Sequence, residues 1–472
     1  MQQAGDAIAH AVLADFQEIS GLPDDARVLV LAGKGHNGGD ALLAARAILA
    51  VKPKSRAVVV LGFGAQALRP LAKRALARLK AAGRGRVSIV AAGQALSDGA
   101  KYALCLDGIF GFQFRAPMDA ATSALIKAVN AHRGITVRAA VDLPSGAGET
   151  SASVCFRADF TYATGIVKRP VLAAQVAQYV GRLRYLDLGF FTKKSPSTTE
   201  RVLTSAVLAP LARLRSAQTD KRTFGHVLLV GGSRSYPGAI LLAVRAALRS
   251  GAGLVTAFVP KSLAAEYAAA HPEAMWVGCP ETAKGGLASG TVKLVQAKLA
   301  RASALLVGPG ASAEPAVLKT IRSLVRSTSI PLVLDADALR PEIVAELKGR
   351  AFVCTPHAGE FERIAPKLFK KGRFTAPHGV LVLKGPLTRV TDGRVTCFSP
   401  FGGPVLARGG SGDILAGLIG GLLAQKPDDP LLAAARGAVW HGRAADLLAR
   451  THGQVAVEIS QILEQLGPGL HT

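Results

Sequence analysis

Short, unbroken apolar runs alternate with helix-length stretches along almost the whole chain, and this alternation narrows the fold more than any other feature. Val28-Leu29-Val30-Leu31 precedes a helical stretch at 41–51, and Ala57-Val58-Val59-Val60-Leu61 precedes one at 68–82. Runs at 87–90, 102–106 and 137–141 continue the series. Strands of this kind are buried on both faces, as in a parallel sheet covered by helices. The second half repeats the pattern at 226–230, 254–259, 304–307, 332–334, 352–354 and 380–383, with Ala-rich helices between. Between the halves lie a polar stretch, Thr192-Lys193-Lys194-Ser195-Pro196-Ser197-Thr198-Thr199-Glu200, and a looser segment to about Arg215. A chain of 472 residues exceeds what one core supports. The expectation is an α/β protein of two three-layer domains, residues 1–205 and 206–472.

The net charge of +25 would attract any polyanion. Its distribution argues for small ligands instead: Arg46, Arg74, Arg78, Arg245, Arg249 and Arg322 sit singly in apolar helical patterns, not in basic runs interleaved with aromatics. Phosphate-bearing small molecules are expected, and nucleic acid is not. The cysteines Cys105, Cys155, Cys279, Cys354 and Cys397 are odd in number and far apart, which argues against structural zinc and a disulfide framework. The opening Met1-Gln2-Gln3-Ala4-Gly5-Asp6 lacks the pattern of a signal peptide, and the longest apolar run, 414–424, is too short to span a bilayer. A reducing cytoplasm, no membrane contact and a homo-oligomer are the expectations.

Gly33-Lys34-Gly35-His36-Asn37-Gly38-Gly39-Asp40 follows the first strand. Gly33, Gly35 and Gly38 satisfy the spacing of a dinucleotide fingerprint, but the second strand ends Leu61-Gly62-Phe63-Gly64, without the acidic residue that would hold a ribose. Ordinary hydride transfer is therefore disfavoured, while backbone N–H groups at a helix start still suit phosphate. Asp107-Gly108-Ile109-Phe110-Gly111 and Val141-Asp142-Leu143-Pro144-Ser145-Gly146 end later strands. The carboxyl ends of parallel strands converge on one crevice, so the three turns should face one ligand. Their carboxylate, amide and hydroxyl oxygens could hold a hard cation such as potassium or magnesium. Asp107, Asp142 or Ser145 taken singly could equally cap a turn; their joint occurrence points to a site.

From Gln3-Ala4-Gly5 to about Leu188 the chain resembles the NAD(P)H-hydrate epimerases, with the Asn-Gly-Gly-Asp, Asp-Gly-Ile-Phe-Gly and Asp-Leu-Pro-Ser-Gly turns in the family's order. The resemblance implies a Rossmann-like epimerase domain in which Asn37, Asp107 and Ser145 bind K+. It also implies substrate contacts from His36, Asn37, Gly38, Gly39 and Asp40, and from Gly111, Phe112, Gln113, Phe114, Arg115, Ala116 and Pro117. Asp142 would touch the substrate and assist proton transfer, and Lys168 looks like the family's later lysine. His36 replaces the family's usual second asparagine, and Phe112-Gln113-Phe114 replaces small residues, departures that bear on the activity of this half.

A second glycine turn, Gly409-Gly410-Ser411-Gly412-Asp413, precedes the apolar run at 414–424. Its N–H groups and the helix dipole would stabilise charge developing on a transferred phosphoryl group. A carboxylate behind an anion site is repelled by phosphate unless it works, for example by taking a proton from the attacking hydroxyl, and Asp413 has that place. Read alone, the turn could also be a glycine-rich helix start capped by Asp. Strands also end in Gly308-Pro309-Gly310, Leu334-Asp335-Ala336-Asp337, Thr355-Pro356-His357-Ala358-Gly359-Glu360 and Lys384-Gly385-Pro386-Leu387-Thr388. An acidic residue of the Asp335 strand end could reach a magnesium-bound phosphate.

Together these resemble the ribokinase-like fold and, within it, the ADP/ATP-dependent NAD(P)H-hydrate dehydratases, over about residues 222–465. The resemblance implies that the hydrated nicotinamide nucleotide, NADHX or NADPHX, meets Ala239, Gly310, His357 and Asp413. The adenine nucleotide, ADP or ATP with Mg2+, would meet Lys384, Gly385, Pro386, Leu387, Thr388 and Gly412, and Asp413 would be the catalytic base. A sugar or vitamin kinase of the same fold, carrying a nucleotide-binding first half, is the principal alternative, and a non-catalytic nucleotide binder is another.

Overall fold

The computed structural model describes residues 1–149, 152–190, 198–347 and 349–471. The polar stretch that begins at Thr192 lies, through residue 197, outside the described residues. The chain separates into two compact units, Met1–Pro196 with Arg450–Gly453, and Ser197–Ala449 with Gln454–Thr472.

In the first unit β1 (Arg27–Ala32), β2 (Arg56–Leu61), β3 (Val87–Ile89), β4 (Tyr102–Gly108), β5 (Ile135–Val141), β6 (Phe160–Thr164) and β7 (Arg182–Leu186) form one parallel sheet. Its order is β3-β2-β1-β4-β5-β6-β7. Alternate residues of β1 enter different cores: Val28, Val30 and Ala32 join Leu42, Ile48 and Leu104, whereas Leu29 and Leu31 join Cys105, Ile126 and Phe156. Side chains alternate faces along a strand, so a strand covered on both sides must be apolar throughout. The strand order reverses at β1, between β2 and β4, and this opens a crevice at the carboxyl ends.

The helix after β1 spans His36–Val51, beginning ahead of the expected residue 41 and taking Asn37–Asp40 into its opening residues. Glycine disfavours helix, but close packing overrides that preference here. A Cβ on Gly38 would lie 2.2 Å from the Gly33 carbonyl oxygen, and one on Gly33 would lie 1.9 Å from that of Ile109.

The second unit contains β8 (Glu200–Val202), β9 (His226–Val230), β10 (Leu254–Pro260), β11 (Met275–Cys279), β12 (Ala304–Val307), β13 (Leu332–Leu334) and β14 (Phe352–Cys354). It continues with β15 (Phe369–Lys370), β16 (Arg373–Phe374), β17 (Gly379–Leu383), β18 (Thr388–Thr391) and β19 (Thr396–Ser399). Ten of these make one mixed sheet, β11-β10-β9-β12-β13-β14-β17-β18-β19-β8, and β15 and β16 form a separate antiparallel pair. Strands from β11 to β17 run parallel, while β18 is antiparallel to both neighbours. Because β8 pairs with β19, residues 200–202 belong to this sheet.

Val227 and Leu229 of β9 face one core and Leu228 and Val230 the other. Here too the order reverses at the central strand, between β10 and β12. The helix Ser411–Gln425 is buried without a break from Ile414 to Ala424. It lies so close to the helix Pro237–Arg249 that a Cβ on Gly417 would come within 2.1 Å of the Ala243 carbonyl oxygen.

Candidate functional site

In the first unit the three expected turns meet at the reversal point. Asp107 ends β4 and is fully buried. Its Oδ1 accepts from Ser145 Oγ at 2.6 Å and Ile109 N at 3.2 Å, and its Oδ2 accepts from Ser145 N at 2.7 Å. Phe110 N donates to Ser145 Oγ at 2.9 Å, and Asn37 Nδ2 donates to the Phe110 carbonyl at 2.6 Å. Asn37, Asp107 and Ser145 are thus joined through one short hydrogen-bonded chain. Burial pushes the Asp107 carboxyl up to about 6, against the pull of its donors, none of which is charged.

Asp142 follows β5 in the left-handed region, φ 69°. Its Oδ1 pairs with Lys168 Nζ and accepts from Thr164 Oγ1 at 3.1 Å and Thr164 N at 3.3 Å. Lys168 also donates to the Thr164 carbonyl at 3.1 Å. Asp40 stands close enough to feel the Asp142 charge; burial first, then that charge, raises its carboxyl to about 7. A cavity of about 540 Å³ opens beside Lys168, lined by Phe112, Ile166, Val167, Arg169 and Pro170 among others. Of the 111–117 segment, Phe112, Gln113, Arg115 and Pro117 are exposed. Phe114 turns inward against Phe110, ring centroids 4.7 Å apart, and Arg115 folds back onto the Phe114 carbonyl at 2.9 Å. His36 is exposed on the helix start, and Ala116-Pro117 is a cis peptide.

In the second unit Ala239 and Gly310 are brought together: a Cβ on Gly310, at φ 61°, would lie 2.9 Å from the Ala239 Cβ. The neighbouring Gly308 approaches the Asp335 carbonyl so closely that a Cβ there would sit 1.9 Å from it. Asp335 Oδ1 accepts from Lys384 Nζ at 2.9 Å and from Thr355 Oγ1 at 2.7 Å. Lys384 Nζ lies 3.8 Å from Glu360 Oε2, and Glu360 forms a capping box with His357, whose side chain is exposed. Gly412 completes the cluster, since a Cβ there would be 3.1 Å from Lys384 Nζ.

Asp413 lies in the first turn of the helix that begins at Ser411, after Gly410 at φ 92°. Burial raises its carboxyl to about 7, with Asp335 adding to the rise and Lys384 opposing it. A carboxyl poised near neutrality, beside N–H donors, is the arrangement required to take a proton from a hydroxyl while a phosphoryl group arrives. Burial lowers the Lys384 ammonium, but Asp335 and Glu360 more than offset it, so this amine stays cationic. Gly385 and Pro386 are exposed in the connection from β17 to β18, and a Cβ on Gly385 or Gly409 would meet nothing within 4 Å. The site thus has a fixed cation, a carboxyl near neutrality and open space around Gly385 and Gly409.

Comparison with known proteins bears on both units. A family model described as NAD(P)H-hydrate dehydratase matches residues 227–467, and one described as YjeF-related protein N-terminus matches residues 1–170. A bifunctional NAD(P)H-hydrate repair enzyme of Gloeobacter violaceus is 36% identical over 499 residues, spanning 100% of this chain and 93% of that protein. The chain belongs to this family of bifunctional repair enzymes. The Moorella thermoacetica member is 34% identical, covering 99% of this chain and 91% of its own. Among solved structures, a ribokinase-like superfamily protein of Enterococcus faecalis is 26% identical with a TM-score of 0.50, covering 59% of this chain and 98% of that one. The ADP/ATP-dependent NAD(P)H-hydrate dehydratase of Bacillus subtilis, co-crystallised with ATP and Mg2+, is 28% identical with a TM-score of 0.48, covering 57% and 97%.

Several side chains that the structure brings into these sites are absent from the sequence-based expectation. Thr164 holds Asp142, and it ends β6, a strand whose Phe160-Thr161-Tyr162-Ala163-Thr164 composition is the signal that could have found it. Thr355 and Glu360 belong to a strand-end turn already singled out in the sequence, and in the structure they fix Asp335 and Lys384. His441, inside the Ala-rich helix Pro430–His452, carries no sequence signal at all, yet its ring lies against Ser411.

Proposed function

We propose that the chain repairs hydrated NADH and NADPH in two steps. The first unit interconverts the R and S hydrates, and the second uses ADP to dehydrate the S form, giving NAD(P)H, AMP and phosphate. The observation that carries this reading is Asp413, a half-buried carboxyl raised to about 7 in the first turn of a glycine-started helix, beside the Lys384–Asp335 pair. Asp413 takes the proton of the ring hydroxyl, and the hydroxyl oxygen attacks the terminal phosphorus of ADP. The ring nitrogen's lone pair then expels phosphate, and loss of a proton from the neighbouring carbon restores the double bond. Phosphorylation thus converts a poor leaving group into a good one. The turn N–H groups and Lys384 stabilise charge on the phosphoryl oxygens. ATP is the other nucleotide this site would take. Mg2+ belongs with the nucleotide's phosphates, whose charge it neutralises.

In the first unit Asp142, held by Lys168 and Thr164, moves the proton during epimerisation, with the substrate along residues 36–40 and 111–117. Asn37, Asp107 and Ser145 would hold K+. The fit rests on an all-oxygen donor set and on a fully buried carboxylate whose hydrogen-bond donors are uncharged. The ion would neutralise Asp107. Epimerisation matters because a chiral dehydratase pocket accepts one hydrate and strands the other. No helix among the described residues is long and apolar enough to cross a membrane, and five buried cysteines fit a reducing cytoplasm.

The test is recovery of reduced-nicotinamide absorbance from mixed hydrate epimers, with and without ADP and Mg2+. Full recovery is expected. Recovery that stops when one epimer is consumed would sink the epimerase, and a stable phosphorylated product would mean a kinase.

A further inference from the structure

We propose that His441 is a positioning residue for the phosphoryl-transfer turn, acting through the Ser411 hydroxyl; this rests on the dehydratase reading above. His441 is buried on the helix Pro430–His452, and its Nε2 lies 3.5 Å from Oγ of Ser411, itself buried. That spacing is the long limit of a hydrogen bond, of the kind that tightens when a ligand closes the site. Ser411 is the first residue of the helix that carries Asp413 in its opening turn.

The same helix fastens the other end of the segment leading into the turn. Asp446 Oδ2 accepts from Gly402 N at 3.2 Å, and Gly442 lies so close that a Cβ there would be 2.7 Å from the Phe401 carbonyl carbon. Residues 401–402 and residue 411 are therefore both anchored to one helix. Arg408, the cation beside the glycines, is committed elsewhere: its Nη1 donates to the Val457 carbonyl at 2.7 Å and its Nη2 to those of Gln454 and Val455 at 3.0 and 2.6 Å. It is an anchor of the turn and not a phosphate ligand.

External anchoring is what this turn requires. Gly409, Gly410 and Gly412 carry no side chains to lock the backbone, and around Gly409 a Cβ would meet nothing within 4 Å. Donors stabilise a transition state only when held in place beforehand. Burial pulls the His441 imidazole down to about 4, with the Lys384 charge adding to the fall, so a neutral ring supports Ser411.

The experiment compares His441→Phe, His441→Gln, Ser411→Ala and the His441→Phe/Ser411→Ala double variant in ADP-dependent dehydration, with epimerisation as the internal control. His441→Phe is expected to keep the melting temperature, leave KM for ADP unchanged and lower kcat for dehydration about tenfold, less than the roughly 10²–10³-fold cost of removing a donor outright. His441→Gln recovers most of the loss, and the double variant falls no further than the worse single variant, because both act through one contact. Wild-type kcat in His441→Phe, or additive losses in the double variant, overturns the proposal. Should His441→Phe fail to fold, wild-type kcat in Ser411→Ala overturns it equally. A wild-type protein that dehydrates no hydrate under any nucleotide overturns the dehydratase reading itself, a separate result.

Discussion

The two units use the same device, a glycine-rich turn opening a helix beside the carboxyl ends of parallel strands, yet their glycines answer different needs. At the first turn the glycines admit backbone: a Cβ on Gly33 or Gly38 would lie 1.9 or 2.2 Å from a carbonyl oxygen. At the second they leave room: a Cβ on Gly409 would touch nothing within 4 Å, and one on Gly412 would meet only side-chain atoms, Lys384 Nζ at 3.1 Å and Asp335 Oδ2 at 3.8 Å. Both helix starts also carry a carboxyl that burial lifts to about 7, Asp40 in one and Asp413 in the other. The charged partners then diverge. Asp40 lies 3.9 Å from the Met1 amine and feels Asp142, which Lys168 already pairs, whereas Asp413 feels Asp335 and the opposing charge of Lys384. A shared local motif therefore does not fix its chemistry; what stands opposite the helix start does.

The largest test of that contrast is Asp413→Asn. Loss of a general base should lower kcat for dehydration on the order of 10³-fold, about 4 kcal/mol of barrier, while epimerisation by the same molecule continues. An equal loss in both activities would break the separation of the two sites. Next comes Asp142→Asn, for which epimerisation should fall roughly 10²-fold and dehydration of the purified S hydrate should hold. Chiral separation of the hydrates over time reads both rates.

The glycines themselves give a smaller, structural contrast. Gly33→Ala pushes a methyl into the Ile109 carbonyl and should destabilise the first unit by about 1–3 kcal/mol, read as a lowered first transition in thermal unfolding. Gly409→Ala should leave the second transition within about 0.5 kcal/mol of its position and act on KM for ADP instead. Equal melting losses would mean that both turns are packed alike.

Much of this architecture is legible in the sequence, because strands buried on both faces must be largely apolar, and residues 28–32, 57–61, 102–106 and 227–230 are written that way. The Asp-bearing turns are legible for a related reason, since strand ends in a parallel sheet converge. What escapes has partners distant in sequence. Arg184, in β7, looks unsuited to a sheet, but it is buried through ion pairs with Asp15 at 2.9 Å and Glu18 at 3.5 Å, contacts invisible in a local window. Both helices start earlier than the apolar pattern indicates, at His36 and Ser411, because glycine propensity weighs against those first turns and tertiary packing outweighs it. Thr164 and His441 gain meaning from Asp142 and Ser411, each more than 20 residues away along the chain.

The smallest predicted effect separates activity from stability at a single carboxyl. Asp413 must be ionised to act as a base, and with its folded pKa near 7 the ionised fraction falls about tenfold between pH 8 and pH 6. Dehydration kcat/KM should follow, rising with pH through 7. Stability runs the other way. The folded pKa lies above the ordinary 3.8, so Asp413 favours the folded state fully below about pH 4, and that contribution is lost as pH rises through 7. The wild type then holds a half-buried, partly uncompensated charge that Asp413→Asn lacks. The inactive variant should therefore melt higher than wild type at pH 8, with the gap closing toward pH 4. A pH-independent gap would mean that Asp413 does not titrate in this window, and the assignment of this carboxyl as the base would fall with it.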